Sequence, residues 1–146
     1  MASSSPATAG IPLDVEAGKI AEFSRAVGIA LAELRDPDGR LIVPPTFLTV
    51  LNFVETPEAI AAEFGFELSR MLHGEQEYVF PGSPPAAGDR LVANSSIVRR
   101  YEKAGRRGGV MRFAVRTTEF RSAEGTLVAV ANTTAIETAA AVDGAG

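Results

Sequence analysis

The stretch LVANSSIVRRYEKAGRRGGVMRFAVRTTEFRSAEGTLVAVANTTAIE, residues 91–137, decides the fold. Near its middle, Met111, Phe113 and Val115 alternate with Arg112, Ala114 and Arg116. That period of two is the signature of a half-buried strand over residues 110–120. The arginines are expected on its outer face. Residues 91–101 alternate more weakly, with Leu91, Ala93, Ile97 and Tyr101 on one parity. Residues 127–136 form a nearly continuous run of small and β-branched side chains, the pattern of a strand buried on both faces. Between them, EKAGRRGG (102–109) and RSAEG (121–125) supply the glycines and polar residues that reverse a chain. Three long strands therefore pair antiparallel as a meander.

Working outward, residues 72–80 (LHGEQEYVF) alternate again, with Leu72, Gly74, Gln76, Tyr78 and Phe80 opposed to His73, Glu75, Glu77 and Val79, which predicts a further strand. Upstream of it, Phe47, Leu48, Val50, Leu51, Phe53 and Val54 leave almost no polar face, so residues 46–54 are expected as a helix in the middle of the core. Pro45 fits its first turn. Thr56-Pro57-Glu58 is a second helix start, with Thr56 as cap and Gly65 as terminator. Asp14 is a plausible cap for an amphipathic helix over residues 15–32, striped by Ile20, Phe23 and Val27 and weakened by Gly18 and Gly28, near which it can end. Asp36-Pro37-Asp38-Gly39 is a turn in which Pro presets φ and the aspartates bond nearby amides. The expected class is α+β, an antiparallel sheet wrapped around one very apolar helix. Residues 1–12 read as a flexible leader, 13–138 as a single domain and 139–146 as a flexible tail.

Composition limits the functions available. With 146 residues and 46% hydrophobic content, the chain has the length and apolar content of one globular domain, and no apolar run approaches the length of a membrane span. Cysteine is absent, which excludes disulfides, thiolate metal ligands and a cysteine nucleophile and fits a cytoplasmic setting. No metal site is expected. The net charge is −4, yet Arg99, Arg100, Lys103, Arg106 and Arg107 surround one turn. A solvated hairpin tip is the simplest reading of that cluster, a phosphate contact the sharper one. Nucleic acid is not expected, because the aromatic interleaving of a stacking platform is missing.

Several segments together resemble a known family: VPPTFLTVL (43–51), LHGEQEY (72–78), AAGDRL (86–91), EKAG (102–105) and EGTLVA (124–129). In order and spacing they are similar to the N-terminal-type domain of MaoC-like dehydratases, over roughly residues 15–137. That resemblance implies the hot-dog fold, a homo- or hetero-dimer or tetramer with another hot-dog subunit, sheets joined edge to edge, and an acyl-thioester tunnel. It implies no cofactor; CoA or phosphopantetheine carries the substrate. Pro45, Thr46, Phe47, Val50, His73, Glu75 and Tyr78 become candidate substrate contacts, and Arg99, Arg106 and Arg107 candidate phosphate or carrier contacts. Phe47, Phe53 and Phe64 are candidate tunnel walls.

Hydration of an enoyl thioester needs a base for water, an acid for the α-carbon and donors for the developing enolate. Competent family members carry Asp-x-Asn-Pro-x-His after the first helix. Here AELRDPDGRLIV (32–43) keeps Asp36 and Pro37 but has neither the asparagine nor the histidine. Asp36 and His73 are the remaining candidates for catalysis. Asp36 and Asp38 read more simply as turn-formers, and His73 as a structural imidazole bonded near Glu75 and Glu77. The resemblance then implies a non-catalytic, channel-forming half of a dehydratase. Two alternatives stand beside it: a thioesterase acting through Glu75 or Asp36, and a non-enzymatic acyl-binding or partner-stabilising module.

Overall fold

The computed structural model describes residues 10–140, in five strands and two α-helices: β1 (Ile11–Asp14), α1 (Ala17–Val27), α2 (Pro57–Phe64), β2 (Met71–Val79), β3 (Arg90–Ala104), β4 (Val110–Ser122) and β5 (Leu127–Glu137). The strands form one sheet in the order β1-β3-β4-β5-β2. β1 pairs antiparallel with β3, Ile11 opposite Ala93 and Asp14 opposite Arg90. On β5 and β2, Asn132 meets Gln76 while Thr138, just past β5, meets Arg70, just before β2, so that pair is antiparallel too. This is an α+β hot-dog fold.

The residues group into two compact units that share β3, β4 and β5. In the first (residues 10–44, 80–95 and 118–130), Val15, Ile20, Leu34, Val43, Leu91, Ala93 and Phe120 are buried. The expected helix begins at Ala17 with Glu16 in the capping place and ends at Gly28, which adopts φ 75°. Asp14 is therefore no cap: it closes β1, where its backbone is extended and paired with Arg90. β1 also takes in Ile11 and Pro12, which the sequence assigned to the leader. Residues 1–9 of that leader and 141–146 of the expected tail lie outside the described residues.

In the second unit (residues 45–79, 96–117 and 131–140), Phe64, Phe66, Ala114 and Ala135 form a cluster against which Ile60, Met71 and Ile97 pack. α2 has the expected ends. Thr56 Oγ1 accepts from the Ala59 amide at 3.2 Å, Pro57 opens the first turn, and Gly65 closes the last at φ 70°. The Arg100 guanidinium donates to the Phe64 carbonyl, a cation at the negative end of the helix dipole.

Three expectations about this unit change. The apolar segment winds as a 3₁₀ helix over Phe47–Phe53, burying Phe47, Leu48, Val50 and Leu51 but leaving Phe53 80% exposed and Val54 exposed as well. The buried parity of β4 is the one that carries arginine: Ala114, Arg116, Thr118 and Phe120 are buried, whereas Met111, Phe113 and Val115 are only half-buried. Tyr101 does not share a face with Ile97. Ile97 packs against the cluster of Phe64, Phe66, Ala114 and Ala135, yet Tyr101, four residues on, stacks on Phe113, which neighbours Ala114 on the opposite parity of β4, at 4.8 Å. A regular strand keeps i and i+4 on one face, so β3 contains one extra residue, a β-bulge, between Ile97 and Tyr101. The bulge explains why Arg100, of the opposite parity to Ile97, also reaches α2.

Candidate functional site

A cavity of about 510 Å³ lies within the second unit. Its origin is the short winding of residues 47–53. In a 3₁₀ helix residues three apart eclipse each other, so the seven-residue run presents separate rows. Phe47 with Val50 and Leu48 with Leu51 are buried rows, and the remaining row, Thr49 and Asn52, lines the cavity. Pro57, Ile60 and Phe64 of α2 form another wall, Met71, Leu72, His73 and Gln76 of β2 a third, and Arg116, Thr133 and Ala135 of β4 and β5 a fourth. Leu68 and the exposed ring of Phe53 complete the lining.

The electrostatic centre of this unit is Arg116, only 3% exposed. Its Nη1 donates to Glu63 Oε2 at 2.7 Å and lies 3.6 Å from Glu55, its Nη2 donates to Asn52 Oδ1 at 3.3 Å, and its guanidinium sits 5.4 Å from the centre of the Phe64 ring. α2 is thereby tied to the sheet through charge. Glu137, 1% exposed, is the second buried ion: it accepts from the Glu67 amide at 2.8 Å, from Arg70 at 3.1 Å and from Arg112. Burial alone would raise its carboxyl; the Glu67 amide and the charges of Arg112 and Arg70 outweigh that and hold it below its usual 4.5.

Of the candidate substrate contacts, His73 lines the cavity; Pro45, Thr46, Phe47, Val50, Glu75 and Tyr78 do not. Burial pushes the Tyr78 phenol up, partly opposed by a hydrogen bond with Thr49. Of the candidate tunnel walls, Phe53 and Phe64 line the cavity and Phe47 is buried elsewhere in the core. His73 is exposed and, among the described residues, makes no hydrogen bond to Glu75 or Glu77, so it is not the bonded structural imidazole expected. Glu77 instead accepts from Asn132 at 2.7 Å. Asp36 belongs to the other unit, where its Oδ1 accepts the amides of Asp38 at 3.0 Å and Arg40 at 2.8 Å, as a turn-former does. Sequence reasoning missed Asn52, Gln76, Thr133 and above all Arg116. The extended alternation of Ala114, Arg116, Thr118 and Phe120 was the available signal.

The basic hairpin tip is built on aromatics. Arg99 lies 4.7 Å from the Tyr101 ring centre, and Lys103 lies 5.5 Å from Tyr101 and 5.2 Å from Phe113. Among the described residues, none of Arg99, Lys103, Arg106 and Arg107 is in an ion pair. No group of three or more potential metal ligands converges among them, and no helix is long and apolar enough to cross a membrane.

The sheet order is that of a hot-dog domain. The match of residues 5–131 to the FAS1-like dehydratase domain region family shows that the chain belongs to that family, within the MaoC-like hot-dog dehydratases. Among solved structures it resembles the C-terminally truncated HadBC (3R-hydroxyacyl-ACP dehydratase) complex of Mycobacterium tuberculosis, at 25% identity over 86% of this chain and 90% of that one, with a TM-score of 0.65. The ChsH1-ChsH2 complex of the same organism is similar at 13% identity, over 97% and 86% of the two chains, TM-score 0.65. The (R)-hydratase of A. caviae involved in PHA biosynthesis is similar at 17% identity, over 92% and 98%, TM-score 0.58. Among curated proteins no sequence matches significantly.

Proposed function

We propose that this chain is the channel-forming half of a cytoplasmic (R)-specific enoyl-thioester hydratase or 3-hydroxyacyl-thioester dehydratase, residues 11–138 being its working domain. Its partner is a second hot-dog subunit that brings the Asp/His pair. The observation that carries this reading is the separation of the acyl-sized cavity from any acid–base pair. The chain has one histidine, His73, which lines the cavity without a bonded carboxylate, while Asp36 is committed to its turn. Likeness to HadBC, a complex, favours a partner of the same fold. The acyl chain occupies the cavity and the thioester end meets the partner's catalytic pair. Arg99, Arg106 and Arg107 receive the phosphate of CoA or of a phosphopantetheine carrier.

The test is co-expression with a histidine-bearing hot-dog subunit, followed by hydration of crotonyl-CoA. The complex is expected to hydrate it and the isolated chain not to. An enzymatic rate from the isolated chain overturns the reading. Release of free thiol by the chain alone would move it to the thioesterases.

A further inference from the structure

We infer that the cavity of the second unit selects acyl chains bearing a neutral oxygen, a carbonyl or a hydroxyl, away from the thioester. This deepens the acyl-channel reading above and rests on it. The inference follows from how the polar groups in the cavity wall are used. Arg116 is buried and lines the cavity, and its Nε–H has no hydrogen-bond acceptor. The Asn52 side-chain amide reaches only Thr49 Oγ1, at 3.4 Å. The Gln76 side-chain amide reaches two carbonyls, of Asn132 at 3.4 Å and Glu77 at 3.5 Å. These lengths exceed the range of a well-made N–H···O bond. The oxygens of the same two amides are occupied: Asn52 Oδ1 takes Arg116, and Gln76 Oε1 takes Thr133 at 2.9 Å. The wall therefore holds a surplus of donors.

A plain hydrocarbon chain would strip water from the Asn52 and Gln76 amides and leave the Arg116 Nε–H without a partner, whereas a chain oxygen would replace the water it displaces. Charge narrows the class. Glu55 and Glu63 together outnumber Arg116, so a second carboxylate entering beside them meets net negative charge, and a neutral acceptor does not. A thioester carbonyl is also a neutral acceptor. In the reading above, however, that carbonyl lies at the partner's acid–base pair, and the donors here come from three separate elements, β2, β4 and the 3₁₀ segment. The oxygen they meet lies further along the chain.

The experiment uses acyl-N-acetylcysteamine thioesters of one chain length, saturated or with successive methylenes replaced by a carbonyl, titrated calorimetrically into the full chain and into Asn52→Leu and Gln76→Leu. Both positions are solvent-accessible, so these variants are expected to fold, whereas Arg116→Met strands the half-buried charges of Glu55 and Glu63. At one carbonyl position the oxo compound is expected to bind about tenfold more tightly than the saturated one, and the variants to lose that gain while binding the saturated compound no less tightly than the parent, since the donor it would desolvate is gone. Equal affinity across the series overturns the inference and leaves the acyl channel standing. Equal weakening of saturated and oxo compounds in the variants assigns the donors to the thioester carbonyl and overturns it as well. Binding of none of the compounds sinks the acyl channel itself, and the inference with it.

Discussion

Two side chains invert what their residue type suggests. Arg116 and Glu137 are charged and almost wholly buried, each held by opposite charges from distant parts of the chain. Removing one partner of a buried pair strands the other, so Arg116→Met is expected to destabilise the fold by about 3 kcal/mol in urea unfolding. Adding Glu63→Leu should restore part of that loss, since the two side chains act as a pair. Glu137 adds a dependence on pH. Its carboxyl is held below 4.5, so its stabilising contribution is complete above that value and disappears as the pH falls through the lowered one. Thermal midpoints measured as the pH is lowered from neutrality should fall less steeply for Glu137→Gln than for the parent. The sequence displays the alternation of β4 without displaying which parity is inward. Both parities carry apolar residues, and the glutamates that neutralise Arg116 arrive from α2 and the segment before it.

At the scale of elements, caps and turns were readable because their causes are local. Thr56, Pro57 and Gly65 bound α2 where the sequence put them, and Gly28 ends α1. Thr56→Ala is expected to cost about 1 kcal/mol, by loss of its bond to the Ala59 amide, measured by denaturant unfolding. Two features were hidden. Apolar composition announces that Phe47, Leu48, Val50 and Leu51 enter the core, but i→i+3 and i→i+4 winding use the same residues, and only the first eclipses Thr49 with Asn52 in one row. The extra residue in β3 is equally silent, since nothing in NSSIVRRY marks a bulge. Its effect is to turn Tyr101 to the outer face, under Arg99 and Lys103.

For the molecule as a whole, order and spacing of motifs sufficed for the fold and family, because strand order in this architecture follows from a short list of segments. The cavity was not legible, since its lining is assembled from the 3₁₀ segment, α2, Leu68, β2, β4 and β5. The basic tip offers a test at this scale: the double substitution Arg106→Glu and Arg107→Glu is expected to weaken binding of a CoA thioester about tenfold at low salt, with the difference shrinking as salt is raised and thermal stability unchanged. An unaltered affinity would return the tip to the role of a solvated turn.

One further property follows from His73 being the sole histidine and lying exposed on the cavity wall. An unlabelled proton NMR spectrum of the chain carries one pair of imidazole signals, already resolved and already assigned. Their displacement or broadening reads out occupancy of the cavity directly, without isotopes, dyes or an introduced tag.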